Sequence, residues 1–283
     1  MIRILGSAAT AAIVAATAFH PHAAAQQQDF RWSGRVAQGE RIQINNIVGD
    51  IRAEPADGGE VTVTGVRAGP GAERVRVEVV RRGDATVICA IYPGDGGSGW
   101  RDGDDDDDGP RGRARDACDQ RNVNIRGETR ARVDFTVRVP AGVRLSANTV
   151  SGDVEARALR GPVTARSVSG DVHVTTSGPV EASTVSGSVV ATLGRTGGEE
   201  LQFRSVSGNV TLQVPAGIDA DFDARTLSGS IESDFPLDRG REDDGRGRYR
   251  VAVGHHARGT LGRGGPSLSV HTVSGDVALR RIR

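Results

Sequence analysis

The sequence predicts an all-β chain, a single-chain β-solenoid of the right-handed β-helix kind, and three observations carry that prediction. A six-residue unit, T-V-S-G-D-V, recurs six times in the C-terminal half. The residues around each copy alternate apolar and polar with a period of two, the signature of strands. Aromatics are 4% of residues while Gly supplies 39 of 283, which suits thin stacked layers of Val, Ala, Leu and Ile better than a core of large rings.

The copies read T-V-S-G-D-V at 149–154, S-V-S-G-D-V at 167–172, T-V-S-G-S-V at 184–189, S-V-S-G-N-V at 205–210, T-L-S-G-S-I at 226–231 and T-V-S-G-D-V at 272–277. Their Ser-Gly steps are Ser151-Gly152, Ser169-Gly170, Ser186-Gly187, Ser207-Gly208, Ser228-Gly229 and Ser274-Gly275, separated by 18, 17, 21, 21 and 46 residues. Stacked repeats of about 20 residues mark a solenoid. The last gap is two periods long and holds either a degenerate turn around Tyr249-Arg-Val-Ala-Val253 or a long loop. Val139-Pro-Ala-Gly142 recurs as Val214-Pro-Ala-Gly217, each time leading into an S-G unit.

Within one unit, Val163, Ala165 and Ser167 share a face, while Val168, Gly170, Val172 and Val174 follow the opposite phase. The slip between Ser167 and Val168 predicts the bend at which a coil turns its corner. Gly at the next step answers a crowded or left-handed backbone. Stacked in chain order, the units give three columns. Thr149, Ser167, Thr184, Ser205, Thr226 and Thr272 are expected to hydrogen-bond between layers. Val150, Val168, Val185, Val206, Leu227 and Val273 are expected to bury a thin core. Asp153, Asp171, Ser188, Asn209, Ser230 and Asp276 are expected to accept backbone N–H bonds after the Gly. Six layers about 4.8 Å apart make a rod roughly 29 Å long, and parallel crossovers wind right-handed.

The region before the repeats is also β, with alternation in Arg41–Ile44, Val61–Thr64, Val75–Val79, Thr86–Ile91 and Val133–Val139. Asn46-Ile-Val-Gly-Asp-Ile51 reads as a worn copy of the unit. Residues 26–140 are then either an irregular start of one continuous solenoid or a separate β-sandwich, ahead of the S-G solenoid at 141–283. Gly94–Arg115 and Leu237–Arg248 read as polar loops.

Residues 1–25 read as a secretory signal peptide. Arg3 precedes the apolar Ile4–Phe19 run, and Ala23-Ala24-Ala25 supplies the small residues of a cleavage site. The run is broken by Thr10, Thr17 and His20 and falls short of the ~20 residues that span a bilayer. No transmembrane segment is expected after cleavage. The predicted destination is the periplasm or the cell surface and exterior. Basic and acidic residues balance at 36 each, and all the basic residues are Arg, so charge makes no case for nucleic acid.

Two cysteines, Cys89 and Cys118, read as a disulfide in an oxidising compartment. A loop of that length is worth roughly 3–4 kcal/mol in the chain-entropy model. Zinc is the competing reading, without His at ligand spacing. Asp102 and the run Asp104, Asp105, Asp106, Asp107 and Asp108 are candidate Ca²⁺ ligands, but match neither an EF-hand nor the nonapeptide calcium repeat, so a solvated loop is the preferred reading. His173, His255, His256 and His271 join no nucleophile motif. Six equal Ser-Gly serines argue for architecture, since a catalytic Ser needs one special setting with a base.

Repeated (T/S)-V-S-G-D-V units, the worn Asn-Ile-Val-Gly-Asp-Ile copy, the V-P-A-G step and the terminal T-V-S-G-D-V-A-L together resemble the bacterial putative-adhesin β-solenoid family of unknown function, the toastrack repeats. The resemblance spans roughly residues 36–283. It implies an envelope or surface protein, an adhesin or scaffold, sometimes tied to envelope-stress systems, and it brings no catalytic residues. The Asp-rich stretch at 94–115 departs from the plain pattern. The sequence reading is a non-enzymatic exported protein without catalytic site, metal or cofactor, whose faces or loops bind an envelope protein or a glycan. The alternatives are a polysaccharide-active or glycan-binding β-helix and an accessory sensor of envelope stress.

Overall fold

The structure, a computed structural model, describes residues 30–92, 118, 130–194, 198–237, 249–251 and 256–282. The expected signal peptide, the Asp102–Asp108 run and His255 lie outside the described residues. Among those described there is no α-helix, and no helix is long and apolar enough to cross a membrane.

Seven strands precede the repeats: β1 (Phe30–Gly34), β2 (Arg41–Asn45), β3 (Ile51–Pro55), β4 (Val61–Ala68), β5 (Arg76–Arg82), β6 (Ala85–Ile91) and β7 (Arg132–Val139). The first repeats form β8 (Arg144–Asn148), β9 (Val154–Leu159), β10 (Val163–Arg166), β11 (Val172–Thr176), β12 (Val180–Ser186) and β13 (Val189–Leu193). Then come β14 (Leu201–Ser207), β15 (Val210–Val214), β16 (Ala220–Ser228) and β17 (Ile231–Ser233). The chain ends with β18 (Tyr249–Val251), β19 (His256–Leu261), β20 (Ser267–Ser274) and β21 (Val277–Arg281).

These strands make two long sheets. Sheet A runs β1-β4-β7-β3-β9-β11-β13-β15-β21-β17-β18, and sheet B runs β19-β16-β20-β14-β12-β10-β8-β2-β6-β5. One layer is a strand of sheet B, a (T/S)-V-S-G corner, and a strand of sheet A. Seven such layers stack in parallel: β2/β3, β8/β9, β10/β11, β12/β13, β14/β15, β20/β21 and β16/β17. The worn unit at 46–51 is therefore a true layer, and the sheets pass through it into the repeats without a break. Alternation turns one residue in two inward. Ile51, Val154, Val172, Val189, Val210, Val277 and Ile231 line up one above another in sheet A, each essentially without exposure. A single apolar cluster extends from Val36 to Leu279.

The layers do not follow chain order. The last unit, β20/β21, lies between β14/β15 and β16/β17, pairing on one side with β14 and β15 and on the other with β16 and β17. The expected chain-order stack is thus corrected: the sixth repeat fills the slot between the fourth and the fifth. The 46-residue gap accounts for the path. After β17 the chain turns back as β18 and β19, which pair antiparallel with β17 and β16 and close the end of the stack. Tyr249–Val251 is therefore a strand, but a capping one rather than a solenoid turn.

Both V-P-A-G steps mark a skipped layer. β7 pairs with β3, yet the following β8 pairs with the far side of the same layer, at β2. β15 is followed by β16, two layers on, with β20/β21 between. Each step opens on the same turn, with Val143 N–H donating to the Pro140 carbonyl (3.3 Å) and Ile218 N–H to Pro215 (3.2 Å). A chain that advances about 9.6 Å instead of 4.8 Å leaves one slot, and a strand pair distant in sequence occupies it. At the other end, antiparallel pairing of β1 with β4, β4 with β7 and β5 with β6 finishes the rod. Terminal caps of this kind spare a parallel stack from open edges.

β6 is buried on both faces. Its outward Ala85, Val87 and Cys89 form a small second core with Cys118, to which Cys89 is disulfide-bonded with the α-carbons 5.7 Å apart.

Deleting residues 266–283 should remove an internal layer, not an end. The expected result is loss of protection throughout β16–β19 by limited proteolysis, with a far-UV CD loss exceeding the two deleted strands. A rod otherwise intact up to β19 would show that chain order, not pairing, sets the stack.

Candidate functional site

At each corner the glycine of the S-G step has a positive φ, between 148° and 158° in the six repeats. In stack order these are Gly152, Gly170, Gly187, Gly208, Gly275 and Gly229, with Gly49 (φ 119°) in the worn layer. A Cβ on any of the six would lie 1.9–2.2 Å from the carbonyl oxygen of the glycine one layer before. Both the dihedral and the contact therefore demand glycine.

That same carbonyl accepts a hydroxyl from the next layer. Ser167 Oγ donates to Gly152 (2.9 Å), Thr184 to Gly170 (2.9 Å), Ser205 to Gly187 (3.1 Å), Thr272 to Gly208 (3.2 Å) and Thr226 to Gly275 (3.0 Å), while Thr149 donates to Gly49 (3.1 Å). The glycine N–H donates to the next layer's serine carbonyl, as from Gly170 to Ser186 (3.0 Å). All six hydroxyl residues are buried, so each unmade bond would leave a polar group dry. In the worn layer Asn46 does this work, its Nδ2 donating to Val133 O (2.7 Å), and its Oδ1 lies 3.1 Å from the Tyr92 hydroxyl. Burial pushes the Tyr92 hydroxyl up to about 12, against the bonds to Val48 and Val133 that favour its ionised form.

The residues after the glycines form a third ladder. Asp171 N–H donates to Asp153 Oδ1 (2.8 Å), Ser188 N–H to Asp171 Oδ1 (2.7 Å) and Asp276 N–H to Asn209 Oδ1 (2.8 Å). These side-chain oxygens, two of carboxylates and one of an amide, accept from the backbone of the following layer. A small hollow of about 160 Å³ lies beside them between Asp50, Arg52, Asp153, Glu155 and His173, and among the described residues no three His, Cys, Asp or Glu are grouped to hold a metal ion.

The expected buried valine column is overturned. Val150, Val168, Val185, Val206 and Val273 are 41–47% exposed and Leu227 73%. The phase slip falls between the valine and the S-G serine, which both face out, not before the valine, because the hydroxyl must turn inward to reach the glycine carbonyl and its neighbour then turns out. The result is a straight apolar ridge along one corner, beside the exposed Ser151, Ser169, Ser186, Ser207, Ser274 and Ser228. None of these serines is singled out from the rest.

The outer face of sheet B is polar and uneven. At its capped end Asp223 accepts from Arg258 Nε (2.8 Å) and Arg225 Nε (3.1 Å) and lies 2.9 Å from His256 Nε2. Burial works against its ionisation, but the bonds from His256, Arg258 and Arg225 prevail and bring the carboxyl down to about 2. His271 stands in register with Arg204 and Arg225, and burial with the Arg225 charge lowers its pKa. At the other end, over β2, β8 and β10, lies a groove of about 850 Å³ bordered by Arg41, Gln43, Asn45, Arg144, Asn148 and Glu181. The sequence reading missed this groove, since none of its residues belongs to the repeated word.

Substitutions separate the roles at the corner. Gly208→Ala should cost more than about 4 kcal/mol, Thr184→Val about 1–2 kcal/mol through the unpaired Gly170 carbonyl, and Val206→Ser less than about 0.5 kcal/mol. Denaturant melts check the order; a Val206→Ser cost equal to that of Thr184→Val would contradict the outward ridge.

Residues 145–280 match the family model described as Toastrack DUF4097. No curated protein matches the chain. Two solved structures are similar. A putative cell adhesion protein from Clostridium sporogenes aligns over 90% of this chain and 100% of its own at 8% identity and a TM-score of 0.45. A putative adhesin from Bacteroides fragilis aligns over 90% and 98% at 10% identity and a TM-score of 0.29. The match to the Toastrack DUF4097 model spans the repeat layers, from β8 to the last residues of β21.

Proposed function

We propose that the chain is a non-enzymatic, exported cell-envelope protein, an adhesin-like scaffold that holds a partner along its rod. The observation that carries this reading is the exposed valine ridge. Five valines and a leucine face solvent in consecutive layers although the fold does not need them there, and a contiguous apolar strip is a common mark of an interaction surface. The Cys89–Cys118 disulfide supports an oxidising compartment, in keeping with the leader-like residues 1–25. The non-enzymatic reading rests on equivalence: every S-G serine occupies the same corner, and a rod of equal layers offers length rather than one reactive point.

Fractionation of cells producing the full chain tests this. The protein should remain with the envelope fraction, and the triple variant Val168→Ser, Val185→Ser, Val206→Ser should be released while melting within a few degrees of the parent. Retention of the triple variant would rule out the ridge as the contact, and a parent chain that fractionates as free soluble protein would rule out the reading as a whole.

A further inference from the structure

We infer that the groove on the outer face of sheet B is a binding site for a carboxylated glycan, with Arg41 and Arg144 holding the carboxylate. The inference rests on the envelope-binding reading but uses a different surface from the valine ridge.

Arg41 and Arg144 are direct register partners on the parallel strands β2 and β8. Their side chains leave the same face about 5 Å apart. Like charges placed opposite one another destabilise a sheet. Nearby arginines are relieved of this by carboxylates, Arg81 by Glu40 (2.9 Å) and Arg166 by Glu181 (2.6 Å). Among the described residues neither Arg41 nor Arg144 has a carboxylate within 4.0 Å. Two adjacent guanidinium forks are what a carboxylate or a row of them recruits.

One and two steps further along the same strands the face changes to fixed amides. Gln43 Nε2 and Asn148 Nδ2 both donate to Asn45 Oδ1 at 3.0 Å, and Asn148 Nδ2 lies 3.3 Å from Ser146 Oγ. Asn45 is only 8% exposed, so the network is anchored in the sheet. It leaves Gln43 Oε1, Asn148 Oδ1 and the Asn45 NH₂ without partners among the described residues, acceptors and donors side by side. Hydroxyl groups, which donate and accept at once, complement such a set; an acidic peptide's carboxylates only accept. The Arg166–Glu181 pair borders the groove beyond the amides, where the local charge is balanced. Guanidinium forks at one end and mixed amides along the floor thus select an acidic sugar, and about 850 Å³ accommodates a few sugar rings.

Binding of a defined oligogalacturonate to the full chain tests the site, with a neutral maltooligosaccharide and poly-L-glutamate as comparators, by calorimetry at two salt concentrations. The galacturonate should bind, more weakly at high salt, and at least ten-fold more tightly than either comparator. Arg41→Gln with Arg144→Gln should lower its affinity at least ten-fold without lowering the melting temperature; Arg144→Gln alone, at an exposed position, serves if the double variant folds poorly and should lose several-fold. No galacturonate binding, equal binding of poly-L-glutamate, or undiminished binding by the Arg variants would overturn the site. The valine triple variant should bind galacturonate normally. Loss of sugar binding with envelope retention intact would remove this site alone, whereas a parent chain free of the envelope would remove the reading beneath it.

Discussion

A backbone carbonyl of one layer lies where the next layer's glycine would carry its side chain, and the whole stack is built around that contact. The approach, 1.9–2.2 Å to a virtual Cβ, fixes glycine at the corner. It also brings the carbonyl within reach of a hydroxyl three residues upstream of that next glycine. One oxygen thus demands two residue types at a fixed spacing, and the recurring word follows from it. Because Ser or Thr must point inward, the following valine must point outward, and the two phases of alternation on either side of the corner are set by one bond.

The same contact explains how a chain can leave and rejoin its own stack. Each layer offers the next a set of N–H, carbonyl and hydroxyl partners that depends on the corner and not on which part of the chain supplies it. The last unit therefore fits between the fourth and fifth as well as it would at the end. The two V-P-A-G turns make the room, and β2/β3 and β20/β21 fill it. Closure by distant segments ties β2/β3 and the C-terminal β20/β21 into the interior of the stack, so that these layers are held by pairing on both sides rather than by succession along the sequence.

Much of this was legible in the residues. The repeats, their strands, the corner, the need for glycine and the 46–51 copy follow from local pattern, because period-two alternation and a fixed word report backbone conformation directly. The valine column was misplaced because alternation says that two phases exist, not where one gives way to the other; only the inward demand of Thr184 and its equivalents decides that. Layer order was not legible, since spacing along a chain carries no information about which edge a strand joins. The groove was hidden for the same reason. Arg41 and Arg144 are 103 positions apart and unremarkable singly, and only the β2–β8 register makes them neighbours. The post-glycine acids were legible as backbone acceptors, although their donors belong to the adjacent layer.

The central claim is that the corner glycines form an interlayer hydrogen-bonded spine. Native-state hydrogen exchange of the Gly170, Gly187 and Gly208 amides tests it most directly. Their N–H groups donate to Ser186, Ser207 and Ser274 of the adjoining layers. The account predicts that all three exchange only through global unfolding, with the same free energy as the core amides of Val172, Val189 and Val210. Exchange through local opening, at rates typical of surface turns while those valines remain protected, would contradict it.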